Sequence, residues 1–367
     1  MSRPESLPFR ASLAEYQHQA QSLLDALKSG DEDAQWRFKW EHPRFRGKSV
    51  KEVRNADLAL TDAQIVVAHE YSFETWAALA SFTQTIKNDG PVALFETAVE
   101  AVISGDAATL GKMLREHSDL VTTRSTRRHH ATHLHYIAAN GVEGMRQKTP
   151  PNAVDIARML LEAGAEVDAL ADMYDQKCTT MSMLVSSSHP AEAGLQGKLA
   201  ELLLDYGAAV EGPGSKWQSA LMTALTFGYL DTAQTLARRG APVDNIAAAA
   251  GLGRSADVAR LLPGADSESR HKALALAAQL GQAEIVHLLL DSGEEPNRYN
   301  PDGLHSHSTP LHQAVCANHL NVVKVLVERG ARPDMRDTLY EGTALGWALH
   351  CQKPAIADYL RAKGAGE

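Results

Sequence analysis

From about residue 91 onward, apolar positions recur in two alternating arrangements. One is a short stretch of small and apolar residues, in most cases opened by Thr or Ser and closed by Gly. Thr132–Gly141, Ala220–Gly228, Ala273–Gly281 and Thr343–Gln352 have this form, the last without its glycine. The other carries Val or Ile and Leu-Leu at helical spacing and ends in Gly-Ala or Gly. Examples are Ala153–Ala165, Leu230–Leu236 before Gly240-Ala241, Ala283–Leu290 before Gly293, and Ala355–Leu360 before Gly364-Ala365. Spacing of this kind predicts amphipathic helices. The glycines mark chain reversals that need a left-handed residue. Thr179–Ala208 reads as a weaker pair, Ile246–Gly253 with Ala256–Leu262 as a shortened one, and Phe95–Leu114 with Gly105 as the first.

The first 90 residues show helical periodicity without this alternation. Leu13, Tyr16, Ala20, Leu23, Leu24 and Leu27 share one face over Phe9–Leu27. Thr61-Asp62-Ala63-Gln64 reads as a capping box opening Ala63–His69, and Ser72-Phe73-Glu74-Thr75 opens Thr75–Ile86.

Ser308–Asp337 is the sharpest repeat. Thr309-Pro310-Leu311-His312, Ala314, Leu320, Val322-Val323, Leu326 and Gly330-Ala331 closely resemble one ankyrin repeat. Asn318 stands where the helix-ending glycine is usual; Asn also tolerates the left-handed conformation. The resemblance implies an all-α ankyrin-repeat solenoid of about eight helix pairs, since one repeat cannot bury its apolar face alone. The expected organisation is a helical capping domain over 1–90 and an array over 91–367, with insertions at 142–152 and 188–195. The leader is similar to those before some bacterial ankyrin arrays, which implies a bacterial source.

Composition narrows the function. A net charge of −9 argues against a general nucleic-acid binder. The N-terminal stretch MSRPESLPFR has no apolar signal core, and no window is long and apolar enough to span a membrane. Cys178, Cys316 and Cys351 are expected as small packing residues in a reducing cytoplasm.

The resemblance implies that finger loops and first helices form a concave face engaging a protein. Its expected contacts are Arg128, His129, His133, Tyr136, Arg146, Met173, Tyr174, Arg298, Tyr299, His305 and His307. Exposed Tyr and Arg anchor interfaces well. The alternative is an enzyme or small-molecule site in a polar groove beside the 142–152 insertion. Tyr136, His129, Glu143, Arg146 and Asp175 would carry acid–base chemistry there. No nucleophile elbow, phosphate loop or Cys-x-x-Cys is present, so no cofactor or metal is expected. His135 and His312 are expected to bond backbone in the adjoining finger. The basic, aromatic stretch Arg37–Arg54 offers a contact for an acidic partner, or more simply the contacts that hold the leader in place.

Overall fold

The computed structural model describes residues 7–211 and 219–366. The chain divides into two compact units, Met1–Lys216 and Trp217–Glu367. Among the described residues it is mostly helical.

In the first unit α1 (Leu13–Lys28) opens with a capping box between Ser12 and Glu15. It is followed by α2 (Glu32–Glu41), α3 (Val50–Arg54), α4 (Leu60–Glu70) and α5 (Trp76–Thr85). Helix α4 starts earlier than Ala63: the Asp62 carboxylate accepts the Ala59 amide at 2.8 Å, so the cap sits two residues upstream of Thr61. Tyr16, Leu23, Phe38, Phe45, Val66, Leu79 and Ile86 form a shared core. Arg37 grips Glu70 with two bonds of 2.6 and 2.8 Å, and Trp36 stacks on the exposed Trp40. Part of the basic stretch is therefore internal scaffolding.

The unit continues with α6 (Pro91–Ser104), α7 (Ala107–Glu116), α8 (His133–Ile137) and α9 (Ala153–Glu162). A small hairpin of β1 (Ala171–Met173) and β2 (Gln176–Cys178) precedes α10 (Thr180–Leu184), α11 (Ser188–Glu192) and α12 (Gln196–Asp205). The hairpin corrects the strictly all-α expectation. Ala171 pairs with Cys178 and Met173 with Gln176, antiparallel. Tyr174 and Asp175 both take positive φ, 53° and 59°, the geometry of a tight two-residue turn. That turn usually advertises itself as Asn-Gly, which is why Tyr-Asp hid it.

Gly105 shows what a reversal between helices demands. Its φ is +76°, and the Asn152 amide donates to its carbonyl at 2.8 Å. A Cβ there would strike the Asn152 side chain and Pro150. Gly105→Ala should cost about 1–3 kcal/mol. A melting temperature within experimental error of the parent would refute this.

The second unit contains α13 (Ala220–Thr226), α14 (Leu230–Arg238), α15 (Ile246–Gly251), α16 (Ser255–Leu261), α17 (Ser267–Gln279), α18 (Ala283–Asp291), α19 (Pro310–Cys316), α20 (Leu320–Glu328), α21 (Ala344–His350) and α22 (Pro354–Ala362). Alanines 249, 250, 273, 277, 314 and 344 let first helices approach closely. Ile285, Val286, Leu289, Val322, Val323, Leu326, Ile356 and Leu360 fill the space behind them. Asn318 takes φ +65°, as its place at the missing glycine requires.

Candidate functional site

Helix α6 is apolar on its buried side except at Glu96, which is wholly buried. A carboxylate there must be met by charge or hydrogen bonds. Two arginines meet it, both delivered from loops. Arg127, in the finger before α8, reaches Glu96 with bonds of 3.3 Å from Nε and 3.3 Å from Nη2. Arg146, in the segment after α8, pairs with the same carboxylate and reaches Glu100 at 3.0 Å. Glu143, also in that segment, pairs with Arg127 and lies 3.5 Å from His129 Nε2. The Tyr136 hydroxyl donates to Glu143 at 3.4 Å.

The network is anchored to the leader. Arg127 donates to the Tyr71 carbonyl at 2.6 Å, and its guanidinium lies 4.7 Å from the ring centres of both Phe73 and Phe82. The Arg128 amide donates to the Ser72 carbonyl at 2.9 Å. Two guanidinium groups and two carboxylates thus neutralise one another inside the unit.

Of the five residues expected to carry acid–base chemistry, His129, Tyr136, Glu143 and Arg146 come together, all buried. Asp175 does not join them. It sits at the exposed hairpin tip, 3.5 Å from Arg46. Burial, reinforced by Glu143, lifts the Tyr136 hydroxyl well above its usual range. Burial alone would raise Glu143, but Arg127, His129 and Arg146 hold it below the carboxylate range. The tyrosine is thereby fixed protonated and the glutamate ionised, and neither is poised to exchange a proton near neutral pH. Beside the network lies a cavity of about 160 Å³ lined by Phe9, Tyr16, Tyr71, Glu100, Met145, Arg146 and Lys148, among others.

The expected contact residues divide by burial. His129, His133, Tyr136, Arg146 and Met173 are buried, so none offers a surface to a partner. His133 bonds the Phe95 carbonyl at 3.2 Å and lies against its ring. Met173 lies where a Cβ on Gly141 would sit. Arg128 and Tyr174 are exposed. Tyr174 donates to Asn140 at 2.6 Å, which fixes its ring at the hairpin tip.

In the second unit Arg298, Tyr299, His305 and His307 lie on one long finger. Arg298 bonds Ser267 and Glu294, each at 3.1 Å. His305 Nε2 bonds the Thr226 carbonyl at 3.2 Å, so the finger reaches back to the last residue of α13. The next finger is fastened to it. Tyr299 donates to the Arg336 carbonyl at 2.7 Å, and the Thr338 amide donates to the His307 carbonyl at 2.8 Å. Asp337 organises that second finger by accepting from the amides of Leu339, Tyr340 and Gly342 and from the Trp347 indole, at 2.6–2.9 Å. Leu339 and Tyr340, which the sequence reading passed over, protrude from it with 61% and 72% of their surface exposed.

His312 does what the template asks, bonding the Gly342 carbonyl at 3.2 Å and accepting from the Thr309 hydroxyl at 2.8 Å. His135 makes the matching bond with Thr132 at 2.9 Å. Among the described residues no three His, Cys, Asp or Glu side chains gather as a metal site requires. No described helix is long and apolar enough to cross a membrane.

A family model of ankyrin repeats in three copies matches residues 245–337 and 274–366. The chain is 34% identical over 159 residues to ankyrin repeat and SAM domain-containing protein 6 of Danio rerio, 39% of this chain but 21% of that protein. It is 27% identical over 162 residues to a putative ankyrin repeat-containing protein of Treponema pallidum, 44% of this chain and 46% of that one. It is also 32% identical over 128 residues to human cyclin-dependent kinase inhibitor 2A, 34% of this chain and 79% of that protein. The matched stretches thus span about a fifth and about half of the first two relatives. Repeats of this kind generally mediate protein–protein interaction. With matching caps, reversals and template histidines in place, the chain belongs to the ankyrin-repeat family.

Proposed function

We propose that the chain is a binding module that engages a protein partner through its finger loops and the adjoining first helices. One observation carries this reading: large apolar and aromatic side chains stand exposed on fingers that are themselves rigidly held. In the first unit Tyr174 is 58% exposed on a hairpin tip fixed by strand pairing and by its bond to Asn140. In the second, Tyr299, Leu339 and Tyr340 are exposed on two fingers fastened to each other. Rigid aromatic anchors lose little entropy on binding and dominate interface energetics. Arg128, Arg298, His305 and His307 flank them as polar contacts.

The buried Glu96–Arg127–Glu143–Arg146 network supports a structural role rather than the catalytic alternative, because its acid and base are locked in their resting forms. It also supports reading residues 1–90 as a cap on the helix pairs that follow it; the reading of 91–367 as an array of about eight pairs rests on the repeat spacing. In that reading the 142–152 insertion folds inward to complete the network, and 188–195 is the second insertion. A bacterial source and a cytoplasmic setting stay part of this reading.

The test is quantitative. A partner isolated from the native host is titrated against the parent protein and against Tyr174→Ala and Tyr340→Ala variants. At least one variant should lose about tenfold in affinity or more with an unchanged melting temperature. Full affinity in both would reject the finger-tip surface.

A further inference from the structure

Cys316 is the last residue of α19, and Cys351 directly follows α21 in the next helix pair. Their sulfur atoms are 3.3 Å apart. Both are free thiols; Cys316 is exposed and Cys351 half-buried. A disulfide bond is about 2.05 Å long, so the two sulfurs need to approach by only a little over 1 Å. Each cysteine leads into a left-handed reversal residue, Asn318 or Gln352, where the helix has ended and its restraint with it. The third cysteine differs in every respect. Cys178 is buried in the first unit and donates to the Met173 carbonyl at 3.5 Å.

We propose that Cys316 and Cys351 form a reversible oxidation site, at which a hydroperoxide joins two consecutive helix pairs of the second unit by a disulfide. The exposed Cys316 reacts first. Its thiolate attacks the peroxide: an S–O bond forms, the O–O bond breaks, and the departing oxygen leaves as water after taking up a proton. The Cys351 sulfur then attacks the resulting sulfenic acid. The S–S bond forms, the S–O bond breaks, and a second water carries away the Cys351 proton. Two thiols are oxidised and one hydrogen peroxide is reduced to two waters. Although the residue is exposed, partial desolvation of its sulfur and the neighbouring Cys351 push the Cys316 thiol up to about 11, which keeps its thiolate scarce and the first step slow. The second step has its nucleophile already in place. The cross-link closes a loop of about 35 residues and should raise the melting temperature of the second unit by about 5 °C.

The experiment treats the full chain with excess hydrogen peroxide, stops the reaction with catalase and counts thiols. The expected count falls from three to one. Peptide mapping should place the bond between Cys316 and Cys351 of one molecule, and dithiothreitol should restore all three thiols. In Cys351→Ser the sulfenic acid at Cys316 should persist long enough to be trapped by dimedone. Three thiols remaining after exhaustive treatment would overturn the proposal. So would a bond that involves Cys178 or links two chains, or a Cys351→Ser variant with its dimedone label elsewhere.

Discussion

Alanine in place of Arg127 is expected to cost about 3–5 kcal/mol and to unfold the first unit at markedly lower temperature. The guanidinium is 2% exposed and holds Glu96, Glu143 and the Tyr71 carbonyl together between two phenyl rings. Removing it strands a buried negative charge and empties a large volume at once. The compensating experiment separates these effects. Arg127→Leu combined with Glu143→Leu removes one charge of each sign and leaves Arg146 paired with Glu96. This double variant should recover part of the loss. Calorimetry on the three proteins reads the result, and a melting temperature within about 2 °C of the parent for Arg127→Ala would reject the network's structural role.

Acid should destabilise the same unit well before ordinary carboxylates titrate. Burial pushes His133 and His135 down to about 4. In the unfolded chain each returns to about 6.5. Between those values the unfolded state binds protons that the folded state does not, so stability is fully present above about 6.5 and falls as pH drops toward 4. Each ring contributes a slope of up to about 1.4 kcal/mol per pH unit. Glu143 adds to this below about 4.5, because its folded carboxyl is held lower than its unfolded one. Urea midpoints measured from pH 7.5 to 5 should fall steadily, and His133→Gln should flatten the slope. A constant midpoint over that range would show that the buried imidazoles do not titrate with unfolding.

The helix pairs were legible because their signals are local. A Thr cap, a left-handed reversal residue and a Leu-Leu face each act within one turn of helix, and the structure places them where the spacing did. Asn318 shows that the conformational requirement, not the glycine itself, defines the template. Helices α2 and α3 left weaker traces, because their apolar residues are split between core and surface. Phe38 and Val53 are buried while Trp40 is exposed.

The buried network was not legible as such. Charged residues are mostly exposed, so Glu143 and Arg146 read as groove or surface chemistry. Yet one signal was available. Glu96 stands among Ala93, Phe95, Ala98 and Val99 on a helix that is apolar on its inner side. A carboxylate in that position calls for a cation from elsewhere in the chain, and the arginine-rich finger and the insertion were the places to look. Five of the expected contact residues lie buried for the same reason: identity alone does not separate the buried Tyr136 from the exposed Tyr174.

The long finger of the second unit has a further implication for how such chains change length. Helix α17 begins almost directly after α16, leaving no finger of its own, and residues 296–308 reach back past it: His305 bonds the Thr226 carbonyl, and His271 of α17 bonds the Tyr299 carbonyl. One loop's surplus thus covers another's deficit. Trimming the surplus would uncover a helix end two pairs away, so the length of one loop constrains the length of the other.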